Sequence, residues 1–219
     1  NPISDAKKLK DILVSNYTFS EDNIEILEDP TKKRIEFVLD WYANEQNDEM
    51  INSNLLIFYA GHGGFNERLE DGYWVPKDGD KNKYSTNIRN SSIREYIKLI
   101  QARNILLISD ACWAGSLMRS TEQIKINKYQ DIYNLKSRKY MSSGVMSEVP
   151  DRSIFMKVLV KALKENNEIY LTASKLFSII NEEVLIQTPR TGGKNVIPQF
   201  SYIGDSGHEK GGDFFFIKK

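Results

Sequence analysis

An α/β fold with a largely parallel sheet is predicted by two apolar runs and by the helical segments around them. The runs cover residues 55–60 (Leu-Leu-Ile-Phe-Tyr-Ala) and 105–109 (Ile-Leu-Leu-Ile-Ser). Both are apolar on consecutive positions, as in strands covered on both faces. Segments with apolar residues at helical spacing alternate with them, and strands alternating with helices imply parallel pairing.

Each element follows from local chemistry. Ser4 and Asp5 open a helix with Ala6, Leu9, Ile12 and Leu13 on one face. Residues 23–27 predict a short strand. Thr31 is placed to cap a second helix, in which Ile35, Val38, Leu39 and Tyr42 share a face. The run at 55–60 follows, and residues 72–76 (Gly-Tyr-Trp-Val-Pro) predict a hairpin arm. Ser92 with Glu95 forms a capping-box pattern before a third helix that turns Ile93, Tyr96, Ile97 and Ile100 inward. After the run at 105–109, residues 119–136 are polar and weakly periodic and predict a loop. Residues 139–142 predict a strand, 153–164 and 172–186 two amphipathic helices, and 188–195 a loop holding Pro189, Gly192 and Gly193. Strands at 196–202 and 214–217 close the chain.

Bulk properties narrow the function. The 219 residues suit one domain and are 40% hydrophobic and 27% charged. Thirty basic residues balance thirty acidic ones, which argues against bulk binding to nucleic acid or to an anionic membrane. No apolar run approaches about 18 residues, the length needed for a membrane span. Cys112 is the only cysteine, so a reducing, cytoplasmic setting is expected. Cys112, His62 and His208 are too few for a Cys/His zinc site. No cofactor is expected to be required. Asp71, Asp78 and Asp80 raise the question of calcium, but their spacing does not specify a calcium loop.

The chemistry lies at the ends of the two runs. The first continues into Gly61-His62-Gly63-Gly64 and the second into Asp110-Ala111-Cys112. In parallel sheets, active sites lie at the carboxyl ends of strands. A thiol needs a base beside it to act as a nucleophile at neutral pH. Adjacent strands would bring His62 beside Cys112, to take the thiol proton and later protonate a leaving amine. The amides of Gly63 and Cys112 are candidate oxyanion donors, each worth roughly 3 kcal/mol in a transition state.

At these residues the chain resembles the caspase-like cysteine peptidases, the clan of caspases, metacaspases and their bacterial relatives. Tyr59-Ala60-Gly61-His62-Gly63 is similar to the family's Y-x-G-H-G segment, and the residues from Asp110 to Ser116 to its D-x-C-x-x-G-S segment. His62 lies 50 residues before Cys112, close to the spacing known for caspases. The residues 141–144 and 151–155 resemble the strand and loop that wall the first specificity pocket. The resemblance implies an α/β/α sandwich over residues 1–219 as a single domain, a Cys112–His62 dyad, and an oxyanion hole of the Gly63 and Cys112 amides. It implies Ser142, Ser143 and Asp151 as pocket residues. It also implies a core strand ahead of the first helix, and nothing before Ser4 supplies one, so a sheet lacking that strand is expected.

Asp110 and Cys112 share a strand face. Asp110 then either floors the first specificity pocket, pairing with a substrate Arg or Lys, or caps the turn that follows. Caspases carry Gln-Ala-Cys where this chain has Asp110-Ala111-Cys112. The reading is a cysteine endopeptidase cleaving after Arg or Lys, a regulated effector with a sensor or regulatory partner. A silent scaffold of the same fold and a hydrolase of non-peptide acyl bonds share these residues. Residues 119–139 hold Arg119, Lys125, Lys128, Lys136, Arg138 and Lys139, which suits either a self-processing loop or a solvated one. His208 stands in a Gly-rich stretch and is expected at the surface.

Overall fold

A computed structural model describes residues 1–45, 47–111, 118–119, 129–144, 153–187 and 197–219, with 118–119 as backbone. The helices are α1 (Pro2–Asn16), α2 (Lys32–Asn44), α3 (Asp48–Ile51), α4 (Asn90–Leu99), α5 (Tyr129–Asn134), α6 (Ile154–Glu165) and α7 (Ala173–Gln187). The strands are β1 (Asn54–Ala60), β2 (Gly63–Asn66), β3 (Asp71–Trp74), β4 (Ile88–Arg89), β5 (Asn104–Asp110), β6 (Met118–Arg119), β7 (Ser137–Ser142), β8 (Tyr170–Thr172), β9 (Gln199–Ile203) and β10 (Phe215–Ile217).

The central sheet has the order β1-β5-β7-β9-β6. β1, β5 and β7 are parallel, and β9 and β6 run antiparallel to their neighbours. Alternation along the strands divides the core. Leu106, Ile108 and Met141 pack with α1, α6 and α7, including Leu9, Leu13, Phe155, Leu159, Leu176 and Ile180. Ile105, Leu107 and Tyr140 face the other way, onto Ile35 and Leu39 of α2 and Ile93 and Ile97 of α4. Helices on both faces of a mostly parallel sheet make the expected α/β/α sandwich. Leu107 is fully buried at the middle of β5. Truncating it to alanine is expected to cost about 2–5 kcal/mol of unfolding free energy, measured by chemical denaturation.

Most predicted elements appear. Thr31 caps α2, its side chain accepting from the Arg34 amide. Ser153 caps α6 in the same way, accepting from the Met156 amide. Residues 72–74 form the hairpin arm β3, antiparallel to β2.

Other expectations are corrected. Residues 23–27 are no strand: a 3₁₀ turn covers Glu21–Asn23, and the residues after it pair with no strand among those described. A strand needs a neighbour for its backbone groups, and among the described residues β1 pairs with β5 alone. Accordingly β1 is half-buried along its length rather than covered. The Ser92–Glu95 capping box does not form. α4 begins earlier, at Asn90, with no side-chain cap. Ser91 instead donates its hydroxyl to the Asp71 carboxylate at 2.6 Å.

The described residues of 119–139 are not loop throughout. Residues 129–134 are helical, and Arg138 and Lys139 lie buried in β7. The Arg138 guanidinium donates to the carbonyls of Arg103, Ser137 and Ile100. A protease needs several residues of extended chain, so neither position is accessible without unfolding β7. Lys125 and Lys128, with the Arg119 side chain, lie outside the described residues. His208 is not a free surface group. Its Nδ1 accepts from the Arg138 amide at 3.1 Å and its ring stacks on Tyr202. Among the described residues, no helix is long and apolar enough to cross a membrane.

Candidate active site

Parallel pairing of β1 with β5 accounts for the spacing of the two motifs. The register runs from Asn54↔Asn104 to Ala60↔Asp110 without a break. Each β1 residue therefore faces the β5 residue fifty positions later, the same separation as His62 and Cys112. The Gly61 amide extends the pairing by one step, donating to the Asp110 carbonyl at 3.4 Å. Both motifs thus leave the same end of the sheet. Cys112 lies outside the described residues, as does Asp151; Ala111, just before Cys112, is buried.

The backbone around His62 is held from two sides while its side chain is exposed. Its carbonyl accepts from the Val75 amide at 2.9 Å and from the Tyr59 hydroxyl at 2.7 Å. The bond from Val75 makes Gly63↔Trp74 a non-hydrogen-bonded pair of the β2–β3 ladder. The Gly63 amide therefore points away from β3. Tyr59 and Trp74 stack at 4.1 Å with their planes 3° apart, which braces this end of β1 against the hairpin. A Cβ at Gly64 would press on the Tyr73 ring, so a larger residue there must displace that side chain.

Asp110, the last residue of β5, is 4% exposed. Burial pushes its carboxyl above the ordinary carboxylate range, and the negative charge of Asp5 adds to the rise. The polar side chains of Ser143 and Ser153 nearby oppose the shift. Its Oδ1 has no partner among the described residues. A buried carboxyl with an unused oxygen is costly unless a donor or a cation completes it.

The structure brings Asp110 and Ser143 together but leaves Ser142 out. Ser142 pairs with Ser109 across β5 and β7. Alternation turns both toward the α2/α4 side, where their hydroxyls meet that of Tyr140. Asp110 faces the α1/α6 side. Ser142 is fully buried on the wrong face to share a pocket with it, which corrects the expectation for that residue. Ser153 lies in residues 151–155, the segment whose resemblance put it at the pocket wall, and the structure uses its hydroxyl as the cap of α6.

The three acidic residues weighed for calcium have separate structural partners. Asp71 accepts from Ser91 and Tyr84, Asp78 from the Lys32 amide and Asp80 from the Asn82 amide. Among the described residues, no group of three or more His, Cys, Asp or Glu could hold a metal ion.

Comparison with known proteins gives the same reading of the fold. The crystal structure of caspase-1 from Spodoptera frugiperda superposes with a TM-score of 0.63 at 14% identity, covering 91% of this chain and 77% of that one. Metacaspase-1 of Eremothecium gossypii is 29% identical over 133 residues, which is 53% of this chain and 28% of that protein. Metacaspase-6 of Arabidopsis thaliana is 27% identical over 183 residues, 74% of this chain and 47% of that protein. The chain thus spans less than half the length of these two relatives. A model of the caspase domain matches residues 1–203. With a sheet flanked on both faces by helices and a family match over nearly its whole length, the chain belongs to the caspase domain family.

Proposed function

We propose that this protein is a cysteine endopeptidase in which Cys112 attacks the scissile carbonyl and His62 transfers the proton, with cleavage after Arg or Lys. The observation that carries the reading is the constant register of β1 on β5. It sends the chain toward His62 and toward Cys112 from neighbouring strand ends, at the sheet edge where α/β sites form. Family membership supports peptidase chemistry and a protein or peptide substrate.

The steps follow from the groups present. His62 accepts the thiol proton, and the thiolate of Cys112 adds to the carbonyl carbon. The Gly63 amide, turned away from the hairpin, and the Cys112 amide donate to the oxyanion. The His62 imidazolium then protonates the leaving amine, and water hydrolyses the acyl-enzyme with His62 again as base. Asp110 receives the P1 side chain: a guanidinium or ammonium supplies a positive partner for its buried carboxyl, whose Oδ1 has none among the described residues. No metal or organic cofactor enters these steps, and calcium dependence is tested by adding the ion or a chelator. A regulatory domain or subunit controlling activity, in a cytoplasmic setting, completes the proposal.

A mixed peptide library incubated with the protein and read by mass spectrometry tests this directly. Cleavage is expected predominantly after Arg and Lys, and absent with Cys112→Ala. Cuts mainly after Asp or apolar residues would reject the specificity, and cuts that persist in Cys112→Ala would reject the nucleophile. Self-cleavage would appear in the same spectra, and none is expected at Arg138 or Lys139, which are buried in β7.

A further inference from the structure

We propose that the outer edge of β2 receives the leaving segment of the substrate, whose first two residues are P1′ and P2′. The Gly63 carbonyl accepts the backbone N–H of P2′, so the chain after the scissile bond adds to β2 as a parallel strand. The inference rests on the reading of the protein as a peptidase with its P1 cation at Asp110.

The phase of the β2–β3 ladder carries the argument. β2 is an outer strand of the order β2-β3-β4, and among the described residues it pairs with β3 alone. The bond from the Val75 amide to the His62 carbonyl, at 2.9 Å, makes Gly63↔Trp74 a non-hydrogen-bonded pair. In such a pair the N–H and the C=O of a residue both point away from the partner strand. Gly63 thus turns both groups to the outer side of β2, directly after His62. Its amide is the proposed oxyanion donor, and its carbonyl is an acceptor that the chemical steps leave unused. Gly63 is only half-buried. The edge is firmly backed, because Trp74 opposite it is buried and stacked on Tyr59.

With the P1 carbonyl on the Gly63 amide, two substrate amides can reach the Gly63 carbonyl. In an antiparallel bridge it is that of P1 itself, which then lies opposite Gly63. In a parallel bridge it is that of P2′, and P1′ lies level with Gly63. The faces of the strands choose between them. Residues side by side in a sheet share a face, and successive residues alternate. Gly63 shares its face with Trp74, which packs in the core on the α2/α4 side. Asp110 faces the α1/α6 side, as does Ile108 two residues before it. An antiparallel bridge would put the P1 side chain on the Trp74 side, away from Asp110. A parallel bridge puts P1′ on that side and turns P1 toward Asp110. The parallel bridge alone serves both contacts.

Matched peptides with Arg at P1 test this through kcat/KM. One carries an ester in place of the amide between P1′ and P2′, which deletes the P2′ N–H and keeps the scissile amide. A second carries the ester one bond later, deleting the P3′ N–H, which points away from β2 in a parallel strand. The first ester is expected to lower kcat/KM about fivefold, the usual worth of a neutral hydrogen bond, and the second to change it by less than about twofold. Cleavage of the first ester as fast as the parent peptide overturns this inference, and so does an equal loss in both esters. In either case Arg cleavage that vanishes in Cys112→Ala leaves the peptidase reading standing. A wild type that cuts after neither Arg nor Lys overturns the reading of P1 itself, and this inference with it.

Discussion

Replacing His62 by alanine is expected to lower kcat for peptide hydrolysis by on the order of 10⁴-fold, the upper end of what a positioned general acid–base contributes. His62 is exposed just beyond β1, and its carbonyl is pinned by Val75 and Tyr59, so the substitution leaves the core intact. The melting temperature should therefore stay close to wild type while the rate collapses. Removal of a base leaves a further signature. Without His62, the thiol must ionise unaided, and the residual rate climbs with pH through the ordinary cysteine range near about 8.5. Wild type, with both partners, should give the bell-shaped profile of a coupled pair. A His62→Ala protein that keeps most of its rate, or whose pH profile matches wild type, would remove His62 from the chemistry.

Asp110→Asn is expected to trade activity for stability. A buried charge pair that loses one partner costs about 2–5 kcal/mol, or roughly 30- to 5,000-fold in kcat/KM for an Arg or Lys substrate. The stability change has the opposite sign. Burial raises the Asp110 carboxyl above its ordinary range. Between the unfolded value and that raised value, the native protein holds a proton that the unfolded chain has lost. Stability from this group is thus fully present below about pH 4 and is lost as pH rises through the native value. At neutral pH, Asp110 works against folding, and a neutral amide of the same shape relieves that cost. The melting temperature of Asp110→Asn should exceed wild type at neutral pH, and the difference should vanish near pH 4 and below. A variant less stable than wild type at neutral pH would show that a cation already neutralises Asp110 in the resting protein. A variant that still cleaves efficiently after Arg would remove Asp110 from substrate recognition.

The sandwich and the two strand-end motifs were legible in the sequence because their signals are local. Apolar periodicity marks α2, α6 and α7, a hydroxyl cap at Thr31 marks the start of α2, and a continuous apolar run marks β5. Where a local signal competed with a distant partner, the partner prevailed. Ser92 and Glu95 have the pattern of a capping box, yet α4 starts at Asn90 while the Asp71 carboxylate takes the Ser91 hydroxyl. Residues 23–27 suit a strand, but strand pairing needs a neighbour that periodicity cannot supply. By composition residues 119–139 suited a self-processing or a solvated loop, yet β7 buries Arg138 and Lys139.

By itself the sequence determined the fold class, the apolar faces of the main helices, and the placing of His62 and Cys112 fifty residues apart at two strand ends. Those features depend on periods of two and 3.6 residues and on motifs within single segments. Only the tertiary structure decided which polar groups share an environment. It set the β1–β5 register, turned Ser142 away from Asp110, and aimed the Gly63 amide off the hairpin. The physical reason is that hydrogen bonding, burial and charge act through space, whereas a sequence pattern records only what neighbours along the chain do to one another.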